Sequence, residues 1–376
     1  MNLNRLLLFL SSFKGIGKTS IRRMIDEHCF ENISFEKIND LLEWLKQHSE
    51  YFKNKNYIKS LTLEDVSAAN DKRIELENKL KAVGANYISW FDEKYPNRFR
   101  IMQKTKDYPI LLFYKGDIEL MNHPKLVSII GTREPCAETH RIGELIGKYA
   151  VEKGYAVVSG LAVGCDTIGH VSCLNAGGKT IAIMGTGIDK VYPKENKELA
   201  QRIVDNGGLI ITEELPGFSG ASYSFVSRDR LQAAGADIVI ALETSKNGGT
   251  MHASRATMTY RRKLVVVDPL LIQNGKPDGN AYLIRELGAD VFKTADDLER
   301  IFSVPTKNTP AIERLFIHKE GLLVDKLLRI QLENVYEYRT NGWHRCYIEY
   351  DEIISDKNYE EVSISDLNKY MKEVKW

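Results

Sequence analysis

Between residues 125 and 187 a short apolar run, rich in β-branched residues, stops at a glycine three times: K-L-V-S-I-I-G at 125–131, Y-A-V-V-S-G at 155–160 and K-T-I-A-I-M-G at 179–185. Both faces of each run are apolar and each is too short for a helix, so each predicts a buried parallel strand. A tight turn and a helix-period pattern follow every run, which is the βαβαβ signature of a doubly wound sheet. Further strands are predicted near 208–213, 237–242, 263–268 and 289–293, with helical spacing between most of them. The fold class is α/β: an extended Rossmann-like, doubly wound, mostly parallel sheet over 119–304. In such sheets ligands bind in the crevice at the carboxyl ends of the strands.

The flanks read differently. Residues 3–10, 35–47 and 62–82 carry helical patterns, the last heavily charged, and predict a small helical N-terminal domain over 1–82. Residues 83–118 form a lead-in whose Y-P-N-R-F (95–99) and Y-P-I-L-L-F-Y-K-G (108–116) segments favour extended backbone and an edge strand. After Val304-Pro305 the composition changes. A helix over 311–334, a hairpin with a type I′ turn at Asn341-Gly342 and a mostly acidic stretch from Glu349 to Glu373 predict a small α+β C-terminal module over 305–376.

Charge narrows little. The 376 residues hold 52 Lys plus Arg against 51 Asp plus Glu, so nucleic-acid binding would rest on a local basic patch and not on net charge. The five cysteines are scattered without a C-x-x-C pair, which fits a reducing compartment and a cytoplasmic protein. The apolar run at Leu6–Leu10 is short and no A-x-A site follows it, and no segment approaches a membrane span.

The candidate chemistry lies in glycine loops. Gly131-Thr132-Arg133 ends the first strand, where N–H groups and a guanidinium would converge on an anion. Ser159, Gly160, Gly164 and Asp166 form the second loop, with Asp166 placed to cap the next helix. Gly185-Thr186-Gly187 and Gly248-Gly249-Thr250 are further candidate phosphate cradles, the latter between a strand and a helix. At the N-terminus, G-I-G-K-T at 15–19 has two ligand-binding readings. A Walker A loop needs glycine where Ser12 stands and a preceding strand where the pattern is helical. A helix-hairpin-helix needs an apolar helix and a Φ-G-Φ-G turn, which Phe13-Lys14-Gly15-Ile16-Gly17 approximates; a bare helix pair without ligand fits as well. Cys165, His170 and Cys173 lack a fourth metal ligand, the tyrosines of 336–350 offer base-stacking faces or a half-buried hairpin face, and no nucleophile and base have a catalytic spacing.

These motifs, in order from about 95 to 268, resemble the DNA-processing protein A family (DprA, also called Smf). The lead-in segments, I-I-G-T-R, S-G-L-A-V-G-C-D-T-I-G-H, N-A-G-G-K-T-I-A, G-T-G-I-D-K-V-Y-P and E-L-P-G carry the resemblance. It implies a non-enzymatic protein without cofactor that binds and protects single-stranded DNA, loads RecA in transformation or recombination, and acts as a homodimer. Backbone phosphates would then follow the strand ends, held by the loop N–H groups with Arg133, Arg228 and Arg230. Two departures stand out: Phe225-Val226-Ser227-Arg228-Asp229-Arg230 where the family has F-P-x-R-N-R, and S-K-N-G-G-T-M-H-A-S at 245–254 where it has S-G-S-L-x-T-A. They keep a rival open, a nucleotide-sensing Rossmann-like protein with a C-terminal output module, as in bacterial defence. The similar LOG-type nucleotide-cleaving loop carries a glutamate where this chain has Ala253, which argues against glycosidic cleavage.

Overall fold

A computed structural model describes residues 1–303, apart from 32, 34 and 36, together with five strands between residues 314 and 362. The chain divides into two units, 1–304 and 305–376.

The first unit starts with five helices: α1 (Leu3–Ser12), α2 (Lys18–Asp26), α3 (Ile38–Gln47), α4 (Lys55–Lys59) and α5 (Leu63–Ala82). Sequence sets their ends. The Thr62 hydroxyl accepts from the Asp65 N–H while the Asp65 carboxylate accepts from the Thr62 N–H at 2.8 Å, a capping box that starts α5. Leu6 to Leu10 are all buried, because α1 is enclosed on every side between the other helices and the sheet. Between α1 and α2 the chain reverses through Gly15 at φ +92°, a conformation that favours glycine, with Phe13 and Ile16 buried and Lys14 exposed.

The sheet has nine strands: β1 (Asn86–Ser89), β2 (Leu111–Gly116), β3 (Leu126–Ile130), β4 (Ala156–Ser159), β5 (Thr180–Ile183), β6 (Leu209–Thr212), β7 (Ile238–Ala241), β8 (Lys263–Val267) and β9 (Asp290–Phe292). Their order is β1-β2-β6-β5-β4-β3-β7-β8-β9. Strands β6 to β9 along this order pair in parallel, and β1 and β2 close one edge antiparallel. The seven strands expected from 125 to 293 are all present. Connecting them are α6 (Ala137–Glu152), α7 (Cys165–Asn175), α8 (Lys197–Asp205), α9 (Ser222–Gly235), α10 (Thr250–Thr259) and α11 (Asp278–Leu287), and α12 (Asp297–Phe302) follows β9. All of β3 is buried because helices cover both faces: Val127 and Ile129 pack with Ile146 and Cys173, whereas Leu126 joins Leu231 and Ala234. Successive connections run β3 to β4 to β5 to β6 in one direction, and β7 to β9 lie on the other side of β3. The topological switch point therefore falls between β3 and β7. No described helix is long and apolar enough to cross a membrane.

In the second unit β10 (Arg314–Glu320), β11 (Leu323–Gln331), β12 (Asn334–Arg339), β13 (Gly342–Cys346) and β14 (Tyr359–Val362) form an antiparallel sheet of order β13-β12-β11-β10-β14. The helix expected over 311–334 is corrected to two strands. A register shift after His318 leaves Asp325 without a partner, and such a bulge breaks the two-residue alternation by which strands are recognised. The expected hairpin is there, but Arg339 pairs with Gly342, so Gly342 belongs to the strand and the connection is 340–341; the turn type lies outside the described residues.

Candidate nucleic-acid interface

The carboxyl ends of β5, β4 and β3 are crossed by the first half of α9. Phe225 lies against Gly185 after β5, Arg228 against Gly160 after β4, and the Asp229 carboxyl lies within electrostatic reach of Arg133 after β3. Nearest the switch point, Gly131-Thr132-Arg133 is pinned from two sides. The Thr132 N–H donates to the Glu243 carbonyl at 2.7 Å, and the Thr132 carbonyl accepts from the Cys165 N–H at 3.0 Å. Gly131 is required by contact, since a Cβ there would meet Cys165 Sγ at 2.5 Å. The Arg133 side chain stays exposed.

The second loop is closed by its own protein. Asp166 does not cap α7, whose N-cap is Gly164 without a side-chain bond; its Oδ2 accepts from the N–H groups of Gly160 at 3.1 Å and Ala162 at 3.3 Å. The Ser159 hydroxyl donates to the Ile129 carbonyl at 2.6 Å. Gly164 at φ +79° packs on the first loop, where a Cβ would meet the Thr132 carbonyl at 2.5 Å. The third loop is also filled: the Gly187 N–H donates to the Phe218 carbonyl at 2.8 Å, and the Thr186 hydroxyl donates to the Lys190 carbonyl.

Arg228 and Arg230, expected to line a phosphate path, are both buried, 7% and 8% exposed. Arg228 reaches the Gly160 carbonyl at 3.2 Å, Asp166 at 3.3 Å, Asp229 at 3.1 Å and the Gln232 side chain. Arg230 holds Asp107 at 2.6 Å and Glu213 at 2.9 Å. Burial alone would raise the Glu213 carboxyl, but Arg230 and Lys18 outweigh it and hold the group below its ordinary value. Asp229 goes the other way. Burial, with Asp166 adding repulsion, lifts its carboxyl to about 7 against the pull of Arg228 and Arg133. The correction has a simple cause: 228 and 230 lie on different faces of α9, and each face is covered by carboxylates, Asp166 and Asp229 for Arg228 and Asp107 and Glu213 for Arg230, whose folded positions sequence spacing does not show.

Glu243, directly after β7, is not singled out by the sequence motifs. Only 2% exposed, its carboxylate accepts from Thr139 Oγ1 at 2.7 Å, the Cys136 N–H at 3.0 Å and the Lys276 N–H at 2.8 Å, tying the β3 and β8 loops to β7. A lone carboxylate ending an I-V-I-A-L run is the available signal. Beyond it, Gly248-Gly249-Thr250 leads into α10. Gly248 packs on Thr244, Thr250 is buried, and Gly249 is exposed, with nothing within 4 Å of the place a Cβ would take.

The stacking candidates of the sequence, the tyrosines of 336–350, have side chains outside the described residues. Other rings stand near this edge, and although Tyr192 and Phe225 lie within quoted motifs, nothing in those motifs marks them for stacking. Tyr192 and Phe225 have ring centroids 5.2 Å apart, Phe218 and Tyr223 6.2 Å, and Tyr192 and Tyr223 are 48% and 66% exposed. The Walker reading fails on context: a helix, not a strand, precedes Gly17, and Lys18 pairs with Glu214 at 3.3 Å and Glu213 at 3.7 Å. His170, Cys165 and Cys173 have separate structural tasks. Buried His170, lowered to about 3 by desolvation, bonds Thr180 Oγ1 at 2.7 Å, and the Cys173 thiol donates to the Lys179 carbonyl at 3.2 Å.

The sequence profile of DNA recombination-mediator protein A matches residues 86–303, more than half of the chain. The chain belongs to the DNA recombination-mediator protein A family. DNA processing protein DprA of Streptococcus pneumoniae is 32% identical over 242 residues, spanning 62% of this chain and 83% of the relative. The Bacillus subtilis DprA is 27% identical over 268 residues, spanning 69% and 88%. Among solved structures, that of S. pneumoniae DprA aligns with 25% identity and a TM-score of 0.63 over 80% of this chain and 98% of its own. A Helicobacter pylori DprA structure, described for its single-stranded DNA binding mode, aligns with 29% identity and a TM-score of 0.50 over 58% and 94%. The family match covers the nine-stranded sheet and stops short of β10.

Proposed function

We propose that this member of the family binds single-stranded DNA along the carboxyl edge of the nine-stranded sheet, protects it, and delivers it to RecA in the cytoplasm as a non-enzymatic homodimer. The observation that carries the DNA step is the pairing of an exposed cation with exposed rings on one edge. Arg133 stands in solvent beside the switch point, and Tyr192 and Tyr223 present open aromatic faces farther along the same edge. A guanidinium on backbone phosphate and rings under bases is how sequence-tolerant single-strand binders work. In this reading Gly131, Thr132, Gly248, Gly249 and Thr250 shape the phosphate path, whereas Ser159, Gly160, Gly164, Gly185, Thr186, Gly187, Arg228 and Arg230 hold its walls. RecA delivery and the dimer rest on the family resemblance.

The test is a titration of purified protein with fluorescent oligo-dT, with mononucleotides and dinucleotides as competitors, over a range of salt. Binding of oligo-dT that falls steeply with salt and resists mononucleotide competition supports the reading. Saturable mononucleotide binding without oligo-dT binding would replace it with a nucleotide sensor.

A further inference from the structure

The N-terminal hairpin and the β2–β6 part of the sheet enclose a cleft of about 300 Å³ that none of the strand-end glycine loops of the phosphate path lines. This lies at the small end of ligand sites, which run from about 300 to 1,000 Å³. Its lining is chemically sorted. Ile16 from the hairpin turn and Leu111 and Phe113 from β2 give an apolar body, and the Phe218 and Tyr223 rings add aromatic faces. Lys18 and Glu214, 3.3 Å apart with the lysine side chain 47% exposed, set a donor beside an acceptor at its rim.

We propose that this cleft receives one nucleobase of the bound single strand, and that it selects a base whose exocyclic amine adjoins a ring-nitrogen acceptor, cytosine or adenine, over thymine. The proposal rests on the DNA-binding reading above. A phosphate does not suit the site, because Glu213 and Glu214 both line it. A nucleobase does: its faces are apolar and stack on rings, and its edge carries alternating donors and acceptors. Cytosine offers its amine to the Glu214 carboxylate and its adjacent ring nitrogen to the Lys18 ammonium. Adenine offers the same pair, whereas thymine turns a carbonyl toward the carboxylate. Glu213 does not compete for the base, since Arg230 holds it at 2.9 Å. The cleft is also continuous with the proposed path. Glu213 and Glu214 directly follow β6 at its carboxyl end, and the Phe218–Tyr223 pair flanks the segment that leads to Phe225 and Tyr192.

The experiment compares oligo-dC, oligo-dA and oligo-dT of one length at neutral pH, on wild type, Glu214→Ala, Lys18→Met and Tyr223→Ala. Wild type is expected to bind oligo-dC about tenfold more tightly than oligo-dT, the discrimination of one good base contact. Glu214→Ala and Lys18→Met should bring the two toward parity while circular dichroism shows the fold intact. Tyr223→Ala should weaken all three oligomers alike, by about fivefold or more. Equal wild-type affinity for oligo-dC and oligo-dT, or a ratio that survives Glu214→Ala, overturns the base site and leaves the DNA-binding reading standing. Failure of wild type to bind any oligomer overturns that reading and the base site with it.

Discussion

Two parts of the same sheet edge use the same residue types in opposite ways. After β4 and β5, the loops are filled from within: Arg228 occupies the space over Gly160, Phe225 that over Gly185, and Asp166 takes up the loop N–H groups. After β3 and β7, on either side of the switch point, Arg133 and Gly249 stand in solvent. Glycine and arginine at strand ends therefore do not by themselves mark a ligand. What separates the two parts is whether the protein already satisfies the group, and a ligand is needed to explain only the part where it does not.

Removing one cation from each part should have opposite consequences. Arg228→Ala leaves Asp166 and Asp229 buried without their partner, a loss of about 3 to 5 kcal/mol of stability. Arg133→Ala should leave stability within about 0.5 kcal/mol of wild type, as exposed substitutions do. Urea denaturation of both variants measures the contrast, and a mild Arg228→Ala phenotype would mean that the α9 arginine is not a structural cation.

Asp229 supplies a pH test of the closed part. Its carboxyl is raised from 3.8 to about 7, chiefly by burial. The folded protein thus keeps a proton that the unfolded chain releases between about pH 4 and 7, so stability falls as pH rises through that window. Above it the buried charge costs on the order of 4 kcal/mol. Asp229→Asn should remove most of this slope, matching wild type near pH 4 and exceeding it at pH 8 in thermal melts. Because Asp229 also draws on Arg133, the variant should bind oligo-dT about 0.5 to 2 kcal/mol more tightly at low salt, with the gain shrinking as salt rises.

On the open part, Arg133→Ala should weaken oligo-dT binding by about 1 to 3 kcal/mol and flatten the salt dependence by roughly one phosphate contact. Unchanged affinity at both low and high salt would remove Arg133 from the site.

The strands are legible because burial on both faces writes itself as a continuous apolar run, ended by glycine after Leu126–Ile130 and by Glu243 after Ile238–Ala241. β10 and β11 read as a helix because a register shift hides the alternation on which strand recognition depends. The positions of the loops could be read from sequence, but their occupancy could not. That Arg230 meets Asp107, 123 residues away in sequence, is a tertiary fact without a local signal. The same holds for Lys18 and Glu214, which are 196 residues apart yet frame one cleft.

The smallest expected effect is also the most discriminating. Gly249 has φ −57° and ψ −32°, ordinary helical values, and nothing lies within 4 Å of an added Cβ. Neither backbone conformation nor packing requires glycine there. At Gly160, by contrast, an added Cβ would fall on the Arg228 guanidinium. Gly249→Ala should therefore stabilise the fold by about 0.4 to 1 kcal/mol, through the reduced freedom of the unfolded chain. If a phosphate approaches the backbone at the start of α10, the same methyl stands in its way, and oligo-dT affinity should fall even as stability rises. Opposite signs in the two measurements would show that the glycine serves the ligand. A gain in stability with unchanged affinity would place the phosphate path on the Arg133 side of the switch point alone.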